Sequence, residues 1–329
     1  AGFFNGNIAV ARAYIGDISR PEQMASRMGL IGASFGLGFT FGPFIGGELS
    51  APAERWEVFQ GTLLETYPYL LPCLVASALS IVSLLLARTR LPESLPRQER
   101  QDASGLDWVG TMRSSFSGLF SSLRAPAIGQ LLWVTMFYSF GFTIMHAVFI
   151  LFTEMSPSEG GLGFTEAQNG RIFAVIGLTG IVVQGGLIRP LSKRFSSRSM
   201  LPIAVILTGI GLGAIPYASV DYAWLWLLPT CIFIATGSGI FQPTSSSLIA
   251  SYAQQDGREL GGVMGAMESA SAFARILGPF TGGLVWTLTV NGTGWFSYHT
   301  AFLLCAVIML VTFFMALRLP NNSEATSSL

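Results

Sequence analysis

Two charged side chains, Arg275 and Glu268, stand inside a long apolar stretch at 261–287. An ionisable residue in the middle of a membrane-spanning helix costs about 2.5–3.5 kcal/mol on insertion scales, which makes it a functional candidate by default. Arg275 stays charged and needs an acidic partner, backbone carbonyls or an anionic ligand. Glu268 lies two turns earlier on the same helix face, and the rise of about 10 Å between them argues against a direct ion pair.

We expect Arg275 and Glu268 to line one cavity, with Arg275 in contact with a substrate or a proton pathway and Glu268 as a candidate proton carrier. Two simpler interpretations stay open. Arg275 could form a structural ion pair between helices, and Glu268 could be a solvated carboxylate near a helix end. At the end of the first apolar stretch, Arg12 and Asp17 could likewise be a snorkelling side chain and a balancing charge.

Uncharged polar residues within apolar stretches are further candidates for lining a cavity. Each could instead be a hydrogen-bonding contact between helices or a packing residue. The candidates are Asn5, Asn7, Gln130, Gln184 and Gln242, together with Tyr138 and His146 in an aromatic stretch.

The composition places these residues in a membrane. Hydrophobic residues make up 51% of the 329 residues and charged residues 11%, with a mean hydropathy of +0.55; soluble domains carry about 25% charged residues. The net charge of zero offers no electrostatic footprint for nucleic acid. We find no nucleophile–base pair, HExxH motif or Walker loop, and therefore expect neither an enzyme nor a cofactor or metal site.

Nine segments are long and apolar enough to cross a bilayer as helices, which predicts an all-α polytopic membrane protein. They are 2–16, 29–49, 66–87, 128–152, 167–188, 200–218, 223–250, 261–287 and 296–318. Fourteen of the 18 Lys and Arg residues fall in alternate connections and the C-terminal tail, against one in the opposite connections. This asymmetry predicts a cytoplasmic C-terminus.

A glycine-proline pattern occurs twice, 236 residues apart. Closely spaced glycines let another backbone approach, and the proline permits a bend. We therefore expect two homologous parts that each contribute one such helix to a tight contact. The first copy is Gly29, Gly38, Gly42, Pro43, Gly46 and Gly47, and the second is Gly265, Ala274, Gly278, Pro279, Gly282 and Gly283.

These motifs resemble proton-coupled drug-efflux members of the major facilitator superfamily. The stretch 29–47 resembles the antiporter motif on the fifth helix of those proteins. The stretch 14–19 resembles the end of helix four in the tetracycline-efflux branch and its tetracycline-transporter-like animal relatives, and 274–279 resembles their helix eleven. The stretch 185–194 resembles the loop motif between helices eight and nine, without its acidic residue and later glycine.

The resemblance implies a major facilitator fold in which the nine spans match helices four to twelve of twelve. The domains would be 1–87 for the remainder of the N-terminal half, 88–127 for a cytoplasmic central loop, and 128–329 for the six-helix C-terminal half. Helices one to three would be absent, and we expect an incomplete sequence. Asp17 would help to lock the inward gate, and Gly42 would hold helix five against helix eight.

The implied function is secondary-active transport, with proton-coupled export of an amphipathic small molecule or drug by alternating access. The partners would be that substrate, protons and the lipid bilayer, with the protein as a monomer in the plasma or inner membrane. A metabolite facilitator or symporter of the same fold, and a membrane scaffold or receptor that no longer transports, remain alternatives.

Overall fold

The computed structural model describes residues 14, 18, 34, 37–38, 40–92, 121–258 and 260–320. Every regular element in these ranges is helical. Eight helices carry the description that follows: α1 (40–49), α2 (Leu70–Arg90), α3 (Pro126–Glu154), α4 (Glu166–Arg194), α5 (Ser197–Ala214), α6 (Ala223–Gln255), α7 (Leu260–Thr289) and α8 (His299–Leu317).

The predicted spans from residue 66 onward each coincide with one of these helices. Six are long and apolar enough to cross a membrane: α2, α3, α4, α5 with its extension to Tyr217, α6 with the turn that precedes it, and α8. The 30 residues of α7 also suffice in length. The prediction of an all-α polytopic protein is confirmed, with helix ends within six residues of those expected, as at residue 188 against Arg194.

Local sequence explains where several helices begin. Pro126 occupies the first turn of α3, where its missing N–H costs nothing. Thr165 and Gln168 form a capping box at the start of α4, and the side chain of Ser196 accepts from the Ser199 amide at the start of α5. A single π-helical turn at Val183–Leu187 interrupts α4 where Gly185 and Gly186 lie.

The helices from α3 onward form one bundle. Helix α5 packs along α6 and α8, α7 packs along α3, and α4 packs along α6. The largest fully buried side chains come from α3, α6 and α8: Phe149, Phe152, Phe241, Tyr252 and Phe302. By contrast, α2 has no buried residue.

Of the three cysteines, Cys231 and Cys305 are buried in the bundle, whereas Cys73 is exposed. Cys73 lies on α2, which has no buried residue.

Candidate functional site

The two charges on α7 form an ion pair, with Arg275 Nη2 at 3.5 Å from Glu268 Oε2. The expectation that the rise along the helix disfavours a direct ion pair is therefore wrong. Residues seven apart lie on nearly the same helix face, and two long, flexible side chains span the rise between their Cα atoms. Both side chains remain partly exposed, at 54% and 40%.

Helix α7 has three different faces. Ala270, Ala274 and Gly278 are buried against α3. Ile276 and Phe280 are more than 70% exposed, as suits contact with lipid. Glu268 and Arg275 lie between these two faces, and charged side chains in membrane helices face the bundle interior or a water-filled cavity.

The second copy of the glycine motif makes a tight crossing with α3. A Cβ added to Gly282 would lie 3.1 Å from the Ile144 carbonyl oxygen, and one added to Gly278 would overlap the Thr143 hydroxyl. The Thr143 hydroxyl lies 3.3 Å from the Ala274 carbonyl oxygen and donates to it. Gly265 and Gly283 have no described atom within 4 Å of an added Cβ, and Pro279 is exposed.

The first copy contacts α4, the helix that matches the predicted partner, through Pro43 and Gly47 of the motif but not through Gly42. A Cβ on Gly170 would lie 2.6 Å from the Pro43 carbonyl oxygen and 3.3 Å from the Gly47 Cα. A Cβ on Gly177 would overlap Thr40. Gly42, which we expected at this contact, has no described atom within 4 Å of an added Cβ, because it points away from α4.

Gly38 and Gly46 likewise have no described atom within 4 Å of an added Cβ. The two copies therefore use different faces. The positions that match Ala274, Gly278 and Gly282 of the second copy are Gly38, Gly42 and Gly46.

Polar side chains reinforce the α1–α4 contact at the end where α4 begins. Glu48 Oε1 accepts from Arg171 Nε at 2.6 Å, and Glu48 Oε2 accepts from Arg55 Nη1 at 3.0 Å. Tyr69 donates its hydroxyl to Glu166 Oε1 at 2.7 Å. Arg171 thus pairs with a carboxylate 123 residues away in the chain.

Sequence reasoning missed Glu48 as a contact residue. One signal was available, since Glu48 directly follows Gly46 and Gly47 and has Leu284 as its counterpart in the second copy. A carboxylate in only one copy indicates a role that the repeat does not share.

The remaining candidates divide by exposure. Tyr138 is buried, with its hydroxyl 3.0 Å from Thr208 Oγ1 and its ring stacked 3.6 Å from Phe241, so it packs between helices. His146 is half-buried beside Phe142. Gln130, Gln184 and Gln242 are exposed. Asn5, Asn7, Arg12, Asp17 and Gly29 lie outside the described residues.

One buried amide at the start of α4 is only half satisfied. Asn169 Nδ2 donates to Glu154 Oε1 at 3.0 Å, while no described group donates to its Oδ1. Within the described ranges, no three His, Cys, Asp or Glu side chains converge on a point that could hold a metal ion.

The sequence model of the Major Facilitator Superfamily matches residues 1–279. The chain belongs to the Major Facilitator Superfamily. It is therefore an integral, multi-pass membrane protein of a transporter family, with the apolar helices that such a protein needs.

Curated relatives of this major facilitator protein are transporters or members of the same superfamily. A probable peptide/nitrate transporter of Arabidopsis thaliana is 26% identical over 87% of this chain and 62% of its own length. Major facilitator superfamily domain-containing protein 10 of Mus musculus is 23% identical over 99% of this chain and 66% of its own length. The class C tetracycline resistance protein of Escherichia coli is 25% identical over the whole chain and 74% of its own length.

The fold also resembles a solved structure of this family. The crystal structure of the human organic anion transporter MFSD10 (TETRAN) matches with a TM-score of 0.61 and 24% identity, over 95% of this chain and 68% of that one. The major facilitator fold predicted from the motifs is confirmed by this match. The chain spans about two thirds of the length of the curated relatives named first.

Proposed function

We propose that this protein is a secondary-active transporter that exports an amphipathic small molecule or drug in exchange for protons. The observation that carries the proposal is the Glu268–Arg275 pair, which lies between the packed and the exposed faces of α7. Keeping two charges in a membrane-spanning segment without a use is expensive, whereas a carboxylate that can release its arginine on protonation provides a coupling element.

Alternating access supplies the mechanism. In the proposed arrangement, residues 1–87 form the remainder of one half, 88–127 a cytoplasmic linker and 128–329 the other half, with the C-terminus cytoplasmic. The α1–α4 contact supports this arrangement, because the backbones of the two helices approach each other closely at Gly170 and Gly177. Alternating access would separate such a contact as one half rocks against the other.

The resemblance of 29–47 to the antiporter motif supports protons as the coupling ion and export as the direction of transport. The class C tetracycline resistance protein supports drug export, while the peptide/nitrate transporter supports a metabolite carrier as the second candidate. We place the protein, as a monomer, in the plasma or inner membrane.

Reconstitution of the chain into proteoliposomes with a labelled dye tests the proposal. Flux that follows an imposed proton gradient supports an antiporter, flux without that dependence supports a facilitator, and absence of flux supports a scaffold or receptor. We expect Glu268→Gln to uncouple flux from the gradient.

Arg275→Ala should abolish transport while the protein remains inserted and folded. Arg258→Ala is the matched control, because Arg258 forms an ion pair of the same 3.5 Å length with Asp256 in the connection between α6 and α7. Normal transport by Arg275→Ala would show that Arg275 is structural.

A further inference from the structure

One carboxylate at the end of α1 is shared between two arginines. Glu48 Oε1 accepts from Arg171 at 2.6 Å, and Oε2 accepts from Arg55 at 3.0 Å. The Glu48 and Arg55 side chains are each 29% exposed, and that of Arg171 is 55% exposed. The three groups therefore lie at the rim of the α1–α4 contact.

The two arginines differ in what else they hold. Arg55 ends the short helix Pro52–Arg55 that comes after α1. It also donates to the backbone carbonyls of Glu48 at 2.7 Å and Gly47 at 3.3 Å. These carbonyls belong to the last turn of α1, where a cation also interacts favourably with the helix dipole. Arg55 is thus tied to the segment that carries Glu48, whereas Arg171 belongs to α4.

Separation of α1 from α4 would consequently break one ion pair and leave the other. Glu48 would lose Arg171 and keep Arg55. Because Arg55 remains its partner, Glu48 avoids most of the free-energy cost of a charge without a partner.

We propose that Glu48, Arg55 and Arg171 form the gate at this end of the protein, with Arg171 as the partner that releases and Arg55 as a positioning residue. In the closed state Arg55 holds the Glu48 carboxylate where it can accept from Arg171, and in the open state Arg55 remains the partner of Glu48. The inference rests on the proposed alternating access.

The arrangement predicts opposite effects for the two arginines. Without Arg171, the closed state loses a contact that the open state never had, and opening becomes easier. Without Arg55, Glu48 depends on Arg171 alone, and opening leaves the carboxylate without a partner. The Tyr69–Glu166 hydrogen bond joins the residue before α2 to the start of α4. It stays intact in both variants, so each effect is modest.

A cysteine at position 40 reports on opening. Thr40 is buried against α4, where a Cβ on Gly177 would meet it. The test uses Thr40→Cys in a chain whose Cys73, Cys231 and Cys305 are replaced by serine, labelled with a membrane-impermeant maleimide from the Glu48 side. We expect Arg171→Gln to raise the labelling rate, and Arg55→Gln to lower it, by about two- to fivefold each, the size expected for partly exposed ion pairs.

Controls separate gating from loss of structure. Arg258→Gln removes an arginine from an ion pair elsewhere and should leave labelling unchanged. Arg55→Lys keeps the charge without the forked hydrogen bonding and should fall between wild type and Arg55→Gln. Shifts of both arginine variants in one direction, or of neither, would overturn the gate.

The gate and the transport function fail in different ways. Opposite labelling shifts in a protein that carries no dye would remove the proposed function and keep the gate. Gradient-driven dye flux with unchanged labelling would support the proposed function and refute the gate.

Discussion

Gly170→Ala tests whether the two halves meet through backbone contact between α1 and α4. The added Cβ would lie 2.6 Å from the Pro43 carbonyl oxygen, 3.3 Å from the Gly47 Cα and 3.4 Å from the Phe44 Cα. Non-bonded heavy atoms attract at about 3.5–4.0 Å. All three neighbours are backbone atoms, so no side-chain rotation can relieve the overlap and the helices must separate.

The cost follows from overpacking, which destabilises a tight contact by about 1–3 kcal/mol. Since 1.36 kcal/mol corresponds to a factor of ten, the closed state should lose about five- to 150-fold in population relative to the open state. Transport should slow, because every cycle must pass through the closed state.

Labelling of Thr40→Cys measures the shift directly, and dye flux measures its consequence. Gly180→Ala is the matched control, because it adds the same methyl group to the same helix where no described atom lies within 4 Å. Wild-type labelling and flux in Gly170→Ala would refute the view that this backbone contact closes the protein.

Two other substitutions probe local contacts. Tyr138→Phe should lower the free energy of unfolding by about 0.5–1.5 kcal/mol, measured by thermal melting, and leave transport intact. Its hydroxyl forms a hydrogen bond with Thr208, whose own hydroxyl also donates to the Ala204 carbonyl. Loss of transport would instead show that Tyr138 contacts the substrate. Thr165→Ala should lower the free energy of unfolding by about 0.5–2 kcal/mol. It should also speed hydrogen exchange of the first amides of α4, which the Thr165–Gln168 capping box protects in the wild type. Unchanged exchange would show that packing alone stabilises this turn.

Helix positions were largely predictable because the bilayer imposes a length. A membrane-spanning helix needs about 20 consecutive apolar residues, and such a run can be recognised directly in the amino-acid sequence. Prolines such as Pro229 and Pro243 in α6 did not obscure it, since packed membrane helices tolerate them.

The candidate site was only partly predictable. Arg275 and Glu268 stand out because charge is rare in such segments, but whether they touch depends on side-chain conformations. For Tyr138 the sequence left a cavity role and a packing role open, and its stacking on Phe241, 103 positions later in the sequence, shows that it packs α3 against α6.

The sequence by itself determined which segments are helices, where charge lies among them, and that one glycine pattern occurs twice, because each is a property of neighbouring residues or of a simple repeat. Only the tertiary structure decided which face of each copy is used. The second copy meets α3 through Gly278 and Gly282, while the first meets α4 beside Gly47 and ends in the Glu48–Arg171 pair. Equivalent sequences can take different partners because contact depends on which helix lies opposite, and that choice is made by the packing of the whole bundle.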